Sequence, residues 1–594
     1  MPRVAALVAV VVLLLATLAF TWPLPARLDS HLPGHLEHPG LQGDLFFQWN
    51  LQQQLNEGYV DPLWTPSLCY PSGQDLRAKV AFSLHLALYV ALMLPFGLLP
   101  FGLLPAHNLA VLLVLLGNAA SAWWLLWDRF RSTAYALAGA ILFAFGPFVS
   151  LKLDQGFVQK IVLFPVPLFA LFFLRLLAHR RRRDALASGA CLVLSLLVYP
   201  PCAVFNLLLG LALLGAALAR GEASRRLVAP VGLAVLILVP AVVVVWATGR
   251  DDFLLVDRMR LSVQEFHCEG GYLDPFHPLR WFPYLGTFPG KPHQDLVETL
   301  PLGLPLLPLT LAVAGVVGRR RGVAILLALA AALAVIMVGP YLTCAGELVT
   351  VGGRTVAMPF LLLAKLPFSQ VLRFPIRLYP WLLIALLLAA GEGLAWLEEL
   401  AARRPRLARV APALPLVASA LMVLEPRLLL PEYRRLVVEQ VTTPAYCADD
   451  WGPGTRAALH LPYLSPGPHD YLYQAVVCDT AISNPLGEHE PPIPIPSPDA
   501  GPAAVRRFLR QLAASGVDRV VVHRDGYRFW EKRGGSEEPS LGSPPGSFSG
   551  RDVEAWLERA LGPPQSFPTD EVLVFRVPPP TQPTGRAGEL RADS

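Results

Sequence analysis

The order of apolar and polar positions divides the chain into two regimes. Up to residue 426, apolar runs of bilayer length, roughly 17–25 residues, alternate with short polar breaks. They lie near 4–22, 106–127, 133–150, 161–178, 184–200, 202–219, 226–247, 299–318, 322–340, 376–396 and 408–426, which predicts about 11 transmembrane helices. A further apolar stretch, 82–104, contains His85 and the Pro-Phe and Phe-Gly breaks of LPFGLLPFGLLP, as expected of a broken helix packed against protein. Beyond residue 427 the runs shorten and turn residues multiply. RAALHLPYL, DYLYQAVVC, GVDRVVVHR and EVLVFRVP read as strands, and 502–515 and 551–561 as amphipathic helices. A helix followed by Gly516 and a strand is an αβ unit. The pattern therefore predicts an α-helical polytopic domain over 1–426, a small α/β domain over 427–577 and a disordered tail over 578–594, with 534–550 as a low-complexity loop.

Composition supports an integral membrane protein. Hydrophobic residues make up 54% of the 594 and charged residues 16%, and mean hydropathy is +0.47. Soluble domains carry about 25% charged residues. Trp22, Pro23 and Leu24 make a poor cleavage site, so 4–22 reads as a retained first span. Orientation follows from where the cations cluster: Arg129 with Arg131, Arg180 to Arg183, Arg220 with Arg225 and Arg226, Arg319 to Arg321, and Arg403 to Arg409. With Arg3 inside and 82–104 not crossing, every cluster falls in a cytoplasmic loop, as the positive-inside bias requires. The N-terminus is then inside and the C-terminal domain outside. The outer face also holds loops 23–105, 150–160, 248–298 and 341–375, so the elaborate sequence lies on one side. The basic runs are thereby explained by topology, and no nucleic-acid partner is indicated.

The 7 cysteines show no metal-type spacing. Cys447 and Cys478 fall in one small outer domain, where a disulfide can persist; Cys69 with Cys268 is a second possible pair, and unpaired thiols are the alternative. His31, His35 and His38 have i, i+4 spacing in part, but Pro33 and Gly34 spoil the helix that a metal site of this kind would need.

Several outer residues have types suited to chemistry. Asp44, in GDLFFQWN (43–50), puts a carboxylate at a membrane boundary; it is either a helix N-cap, a functional acid, or both. Asp154 lies in a short turn between two spans, with Lys152 and Lys160 beside it; exposed ion pairs there are individually weak. Arg373 and Arg377, in LRFPIRLYP, sit at headgroup depth. They are either snorkelling side chains or an anion clamp, since guanidinium groups bind phosphate bidentately. Loop 248–298 adds His267, Asp274, His277, Arg280, Trp281 and Tyr284, an interface belt or a sugar platform.

In order along most of the chain, several stretches resemble the GT-C class of polyprenyl-phosphate-sugar-dependent glycosyltransferases, and more closely the bacterial multi-spanning proteins grouped near it. They are GDLFFQWN, AHNLAVLLVLLGNAASAWWLL, ILFAFGPF, VETLPLGLPLLPLTLAVAG, TVAMPFLLLAKLPFSQVLRFPIRLYPWLLIALLLAAGEGL and SGVDRVVVHRDGY. The resemblance implies a GT-C-like fold in a bacterial cytoplasmic (inner) membrane. It implies a sugar moved from a polyprenyl-phosphate donor to an envelope glycan, lipid or protein on the extracytoplasmic face. Asp44 matches the catalytic acid of the first outer loop and Asp154 the acid of the second. The class often pairs its first acid with another; here the neighbours are Gly43 and Leu45, which leaves a divalent metal as an option rather than a requirement.

Phosphate is a good leaving group, so the reaction needs a base for the acceptor hydroxyl and positive charge for the departing phosphate. Asp44 suits the first role; Lys152, Lys160, His277, Arg280, Arg373 and Arg377 are the candidates for holding substrate. One base opposite the leaving group predicts inversion at the sugar carbon. Two other classes compete. A non-catalytic envelope scaffold would use the Pro-rich segment 488–502 for docking. A transporter would need ionisable residues within its spans, where Glu392 is the main exception to a nearly acid-free set.

Overall fold

Long runs of Leu, Val and Ala leave the backbone no solvent partner in a bilayer, so its hydrogen bonds must close within a helix. The computed structural model describes residues 3–36, 39–56, 102–198, 200–221, 228–243, 305–339, 347–363, 375–429, 436–450, 501–524, 550–568 and 571–578, with short pieces at 64–65, 67–68, 74–75, 341–344, 457–461, 476, 478 and 481–482. In chain order these form α1 (Arg3–Phe20), β1 (His31–Pro33), α2 (Pro39–Asn56), β2 (Trp64–Thr65), β3 (Gln74–Asp75), α3 (Leu103–Phe130), α4 (Thr133–Ala144), α5 (Pro147–Asp154), α6 (Pro165–His179), α7 (Arg182–Val198), α8 (Pro200–Arg220) and α9 (Val228–Leu236). There follow α10 (Leu306–Val317), α11 (Val323–Met337), four two-residue strands β4 (Thr343–Cys344), β5 (Glu347–Leu348), β6 (Thr350–Val351) and β7 (Arg354–Thr355), α12 (Tyr379–Ala402), α13 (Leu414–Leu429) and β8 (Val438–Gln440). The remainder comprises α14 (Ala445–Asp450), β9 (Ala457–Leu461), β10 (Ala481–Ile482), α15 (Pro502–Ala514), β11 (Arg519–His523), α16 (Gly550–Leu561), β12 (Gln565–Phe567) and β13 (Val572–Arg576).

The chain divides into two compact units, Met1–His35 with Arg77–Glu439, and Leu36–Leu76 with Gln440–Ser594. The first is mostly helical. Among the described residues, 5 of its helical segments are long and apolar enough to cross a membrane: Leu103–Phe130, Thr133–Asp154, Val158–His179, Pro201–Arg220 and Ile376–Ala402. Shorter apolar helices occupy Val4–Phe20, Val228–Val243, Leu306–Val317, Val323–Met337 and Ala411–Pro426. The apolar segment 82–101 lies outside the described residues, as does the whole of loop 248–298.

α12 is the axis of this unit and packs against α10 and α11. Its residues from Tyr379 to Gly391 are all buried. The crossing with α10 is close because neither side has a Cβ: one built at Gly393 would stand 1.8 Å from the Leu311 carbonyl oxygen, and one at Gly315 would stand 3.2 Å from Gly393 Cα. Ion pairs tie helix ends together. Arg175 grips Asp128 with two hydrogen bonds (2.8 and 3.2 Å) while its guanidinium stands 5.2 Å from the Trp124 ring. Arg129 pairs with Glu392, and Arg320 with Glu399. Glu392, the acid expected to stand out within the spans, is thus half of an ion pair.

Two local expectations change. Residues 150–160 are not an irregular turn: α5 continues to Asp154, and a 3₁₀ segment, Val158–Ile161, follows. Residues 341–357 form small antiparallel pairings, β4 with β5 and β6 with β7, within the expected loop.

In the second unit a five-stranded sheet has the order β10-β9-β11-β13-β12. β10 and β11 flank β9 in parallel, and β13 runs antiparallel to both β11 and β12. α15 makes the crossover that parallel strands require. Alternate residues of β9, β11 and β13 point to opposite faces. Leu459, Val520 and Phe575 pack with Phe508, Leu512, Trp556 and Leu557 of α15 and α16. Ala458, Val521 and Val574 pack with Tyr446, Cys447 and Phe567. A disulfide joins Cys447 to Cys478. The strand expected at DYLYQAVVC and the pair Cys69–Cys268 fall almost wholly outside the described residues.

Candidate functional site

Asp44 is not an N-cap. Helix α2 begins at Pro39, whose fixed φ and missing N–H suit a first helical position, so the carboxylate lies within the helix. The helix is unusual in what it buries. Gln42, Asp44, Gln48, Asn50 and Gln54 are all below 9% exposed, alongside Leu41, Leu45, Phe46 and Trp49. Buried polar groups need partners, and several amide groups of this helix have them, although Gln42 Oε1 does not. Gln42 Nε2 donates to the Leu36 carbonyl (2.9 Å), Gln54 Nε2 to the Trp64 carbonyl (2.9 Å), and Thr65 Oγ1 to Asn50 Oδ1 (2.5 Å). Phe46 packs its ring 5.8 Å from that of Trp49. The stretch GDLFFQWN therefore forms about two turns of helix that bury one acid beside amides.

The other described candidates belong to the first unit. Lys152, near the end of α5, is fully buried; its Nζ donates to Gln155 Oε1 (3.1 Å) and lies 5.9 and 5.8 Å from the Phe148 and Phe157 ring centroids. Lys160 Nζ stands 3.1 Å over the Phe157 ring. Cation–π contact thus occupies both ammonium groups. Asp154 Oδ1 accepts the Val437 N–H (3.1 Å), and the Asp154 carbonyl accepts the His35 N–H (2.9 Å). Arg377 is half-buried in the 3₁₀ turn Pro375–Leu378 that leads into α12. Beside that turn is a small apolar crevice lined by Leu142, Phe143, Phe148, Leu163, Tyr379 and Leu383, with the Phe148 and Tyr379 rings stacked at 6.2 Å. Lys152, Asp154 and Lys160 are therefore grouped on one helix end and the 3₁₀ segment after it. His277, Arg280 and Arg373 lie outside the described residues.

Among the described residues no three His, Cys, Asp or Glu side chains come together as a metal site. His31 is engaged by Arg27 (3.0 Å) and His35 by Glu439 (2.8 Å).

Sequence reasoning passed over two asparagines of α3. Asn118 donates to the Ile161 carbonyl (2.7 Å) and accepts the Leu163 N–H (3.0 Å), holding the irregular backbone after Lys160. Asn108 donates to the Leu28 and His31 carbonyls, both at 2.8 Å. The signal was available: two amides in an otherwise apolar span are costly unless they bond.

The fold and these residues can be set beside known proteins. No protein-family model and no curated protein matches the chain. Among solved structures, the oligosaccharyltransferase AglB from Archaeoglobus fulgidus, in complex with an inhibitory peptide and a dolichol-phosphate, is similar with a TM-score of 0.45 and 12% identity, over 87% of this chain and 69% of AglB. The arabinofuranosyltransferase AftD from Mycobacteria is similar with a TM-score of 0.43 and 16% identity, over 88% of this chain but 36% of AftD. At these scores the likeness assigns no donor, acceptor or catalytic residue to this chain.

Proposed function

We propose that the protein is a GT-C-like membrane glycosyltransferase that moves a sugar from a polyprenyl-phosphate donor to an envelope glycan, lipid or protein on the extracytoplasmic face. The observation that carries this reading is α2: in the outer segment after the first apolar helix, the chain buries an acid within a helix whose Gln42 and Gln54 amides donate to the Leu36 and Trp64 carbonyls. A buried carboxylate is costly, and its retention in a preorganised shell suits a group needed for its charge.

In this reading Asp44 takes the proton of the acceptor hydroxyl. The acceptor oxygen forms its bond to the anomeric carbon as the bond from that carbon to the phosphate oxygen breaks. The polyprenyl phosphate leaves with the bonding pair, and attack from the opposite side inverts the carbon. Positive charge for the departing phosphate is assigned to Arg377, Lys160, Lys152, Arg280, Arg373 and His277 by residue type. In this reading the eleven crossings expected from the sequence put the N-terminus in the cytosol of a bacterial inner membrane and the C-terminal domain outside. The Cys447–Cys478 disulfide supports that sidedness, because such bonds persist outside the cytosol.

The test is transfer from polyprenyl-phosphate sugars in membranes. Asp44→Asn is expected to lower turnover by about 10²–10⁴-fold, as loss of a general base does, with abundance and the disulfide unchanged. Retained turnover in that variant would remove the base. No turnover by the wild type across a donor panel would leave the scaffold reading in its place.

A further inference from the structure

Three distant stretches of the first unit meet at Asp154. The first is β1 with Gly34 and His35, where the chain is about to pass into the second unit at Leu36. The last is residues 436–439, where it is about to pass into that unit again at Gln440. These two run side by side: β1 pairs with β8, Gly34 bridges Val438 in parallel, the Gly34 N–H donates to the Val437 carbonyl (2.8 Å), and His35 Nδ1 lies 2.8 Å from Glu439 Oε1. Asp154 holds both from the end of α5. Its side chain accepts the Val437 N–H, and its carbonyl accepts the His35 N–H. The approach is so close that a Cβ on Gly34 would stand 2.4 Å from the Leu153 carbonyl oxygen and 3.1 Å from that of Asp154.

We infer that Asp154 is a positioning residue: it latches together the two chain passages that lead out of the first unit, the first of which runs on in sequence to Asp44, nine residues after His35. This rests on the reading of Asp44 as the base, and it gives Asp154 a task other than the catalytic one that the sequence resemblance implies. Two observations favour a latch. One carboxylate oxygen is committed to a backbone amide, and the backbone of the same residue is committed to the other passage. A group that exchanges protons with substrate does not need either bond; a clamp needs both.

Two substitutions separate the roles. Asn keeps an acceptor oxygen for the Val437 amide and removes the charge; Ala removes the acceptor. In full-length protein in nanodiscs, Asp154→Ala is expected to speed hydrogen exchange at 34–36 and 436–439 by about tenfold or more, as loss of a buried acceptor does, with α3 and α12 unchanged. Asp154→Asn is expected to exchange within about threefold of wild type, the scale of a weakened rather than lost bond. Transfer is expected to follow exchange: lowered in the Ala variant, near wild type in the Asn variant. If Asp154→Asn loses transfer as deeply as Asp44→Asn while its exchange is that of wild type, Asp154 acts in the chemistry and the latch role falls. Unchanged exchange in Asp154→Ala overturns it as well. The exchange result does not need an active wild type, so failure of the glycosyltransferase reading and failure of the latch are told apart.

Discussion

Gly34 shows how one residue can decide whether a junction exists. Its φ is +101°, in the region that favours glycine, and the space a Cβ would need is filled by the Leu153 carbonyl oxygen at 2.4 Å. Gly34→Ala is expected to lower stability by more than about 1 kcal/mol through backbone strain alone, with a further cost as the Leu153–Gly156 turn is pushed away. Thermal unfolding in detergent checks this, and a wild-type midpoint would show that the junction relaxes freely. In the sequence Gly34 looked like a breaker that spoiled a histidine pattern. Its neighbours Leu153 and Asp154 are about 120 residues away and its partners Val437 and Val438 about 400, where no local rule could find them. Asp44 was found by residue type and position, yet its place inside α2 rather than at its cap depends on where the helix starts, and Pro39 gave that signal.

At the scale of elements, close contacts between backbones carry the packing. A side chain at Gly393 has no room against the Leu311 carbonyl, so Gly393→Ala is expected to separate α10 from α12 and cost about 1–3 kcal/mol, as overpacking does. Cysteine crosslinking across that crossing reports the separation; unaltered crosslinking would show that the helices do not need the contact. Asn118 is the counterpart in polar terms. Asn118→Ala leaves the Ile161 carbonyl and the Leu163 N–H without their partner, at about 2–3 kcal/mol, and the loss should appear as faster exchange at Leu163. In the sheet, His460 of β9 and His523 of β11 hydrogen-bond ring to ring at 3.0 Å. Burial holds His523 down to about 4, and burial with the neighbouring imidazole pushes His460 well below its ordinary 6.5. The unfolded chain therefore binds more protons than the folded one. Stability of the sheet is expected to be full above about pH 6.5 and to fall as pH drops toward 4. Exchange in β9 and β11, corrected for intrinsic rates, measures this; protection that stays level from pH 7 to about 4.5 would refute it. The strands were legible from alternation, but the pairing of these histidines depends on register, which two separate strand segments do not state.

For the whole molecule, sidedness is the property on which the proposed chemistry depends. Cys447 and Cys478 are disulfide-bonded, so in intact cells a membrane-impermeant maleimide is expected to label Cys447 only after reduction, and to reach it from outside. Labelling that requires permeabilised cells would put the C-terminal unit in the cytosol and with it the proposed donor face. The same experiment with a reporter after Arg183 should give the opposite sidedness, because exposed Arg180 to Arg183 form a basic cytoplasmic loop in the positive-inside arrangement.

What the sequence determined by itself is whatever depends on local composition and period. Apolar length set the helical segments, because a bilayer tolerates no unbonded backbone. Alternation and turn residues set β9, β11 and β13, and the clustering of arginine set the expected orientation. The tertiary structure decided what depends on distant partners. It joined β1 to β8 at Asp154, let α10 and α12 touch through two glycines, placed Asn118 on the Ile161–Leu163 backbone, and assigned residues 36–76 to the same unit as the C-terminal sheet. The first three are hydrogen bonds or steric allowances between residues far apart in the chain, and such a contact leaves no periodic trace in either of the segments that make it.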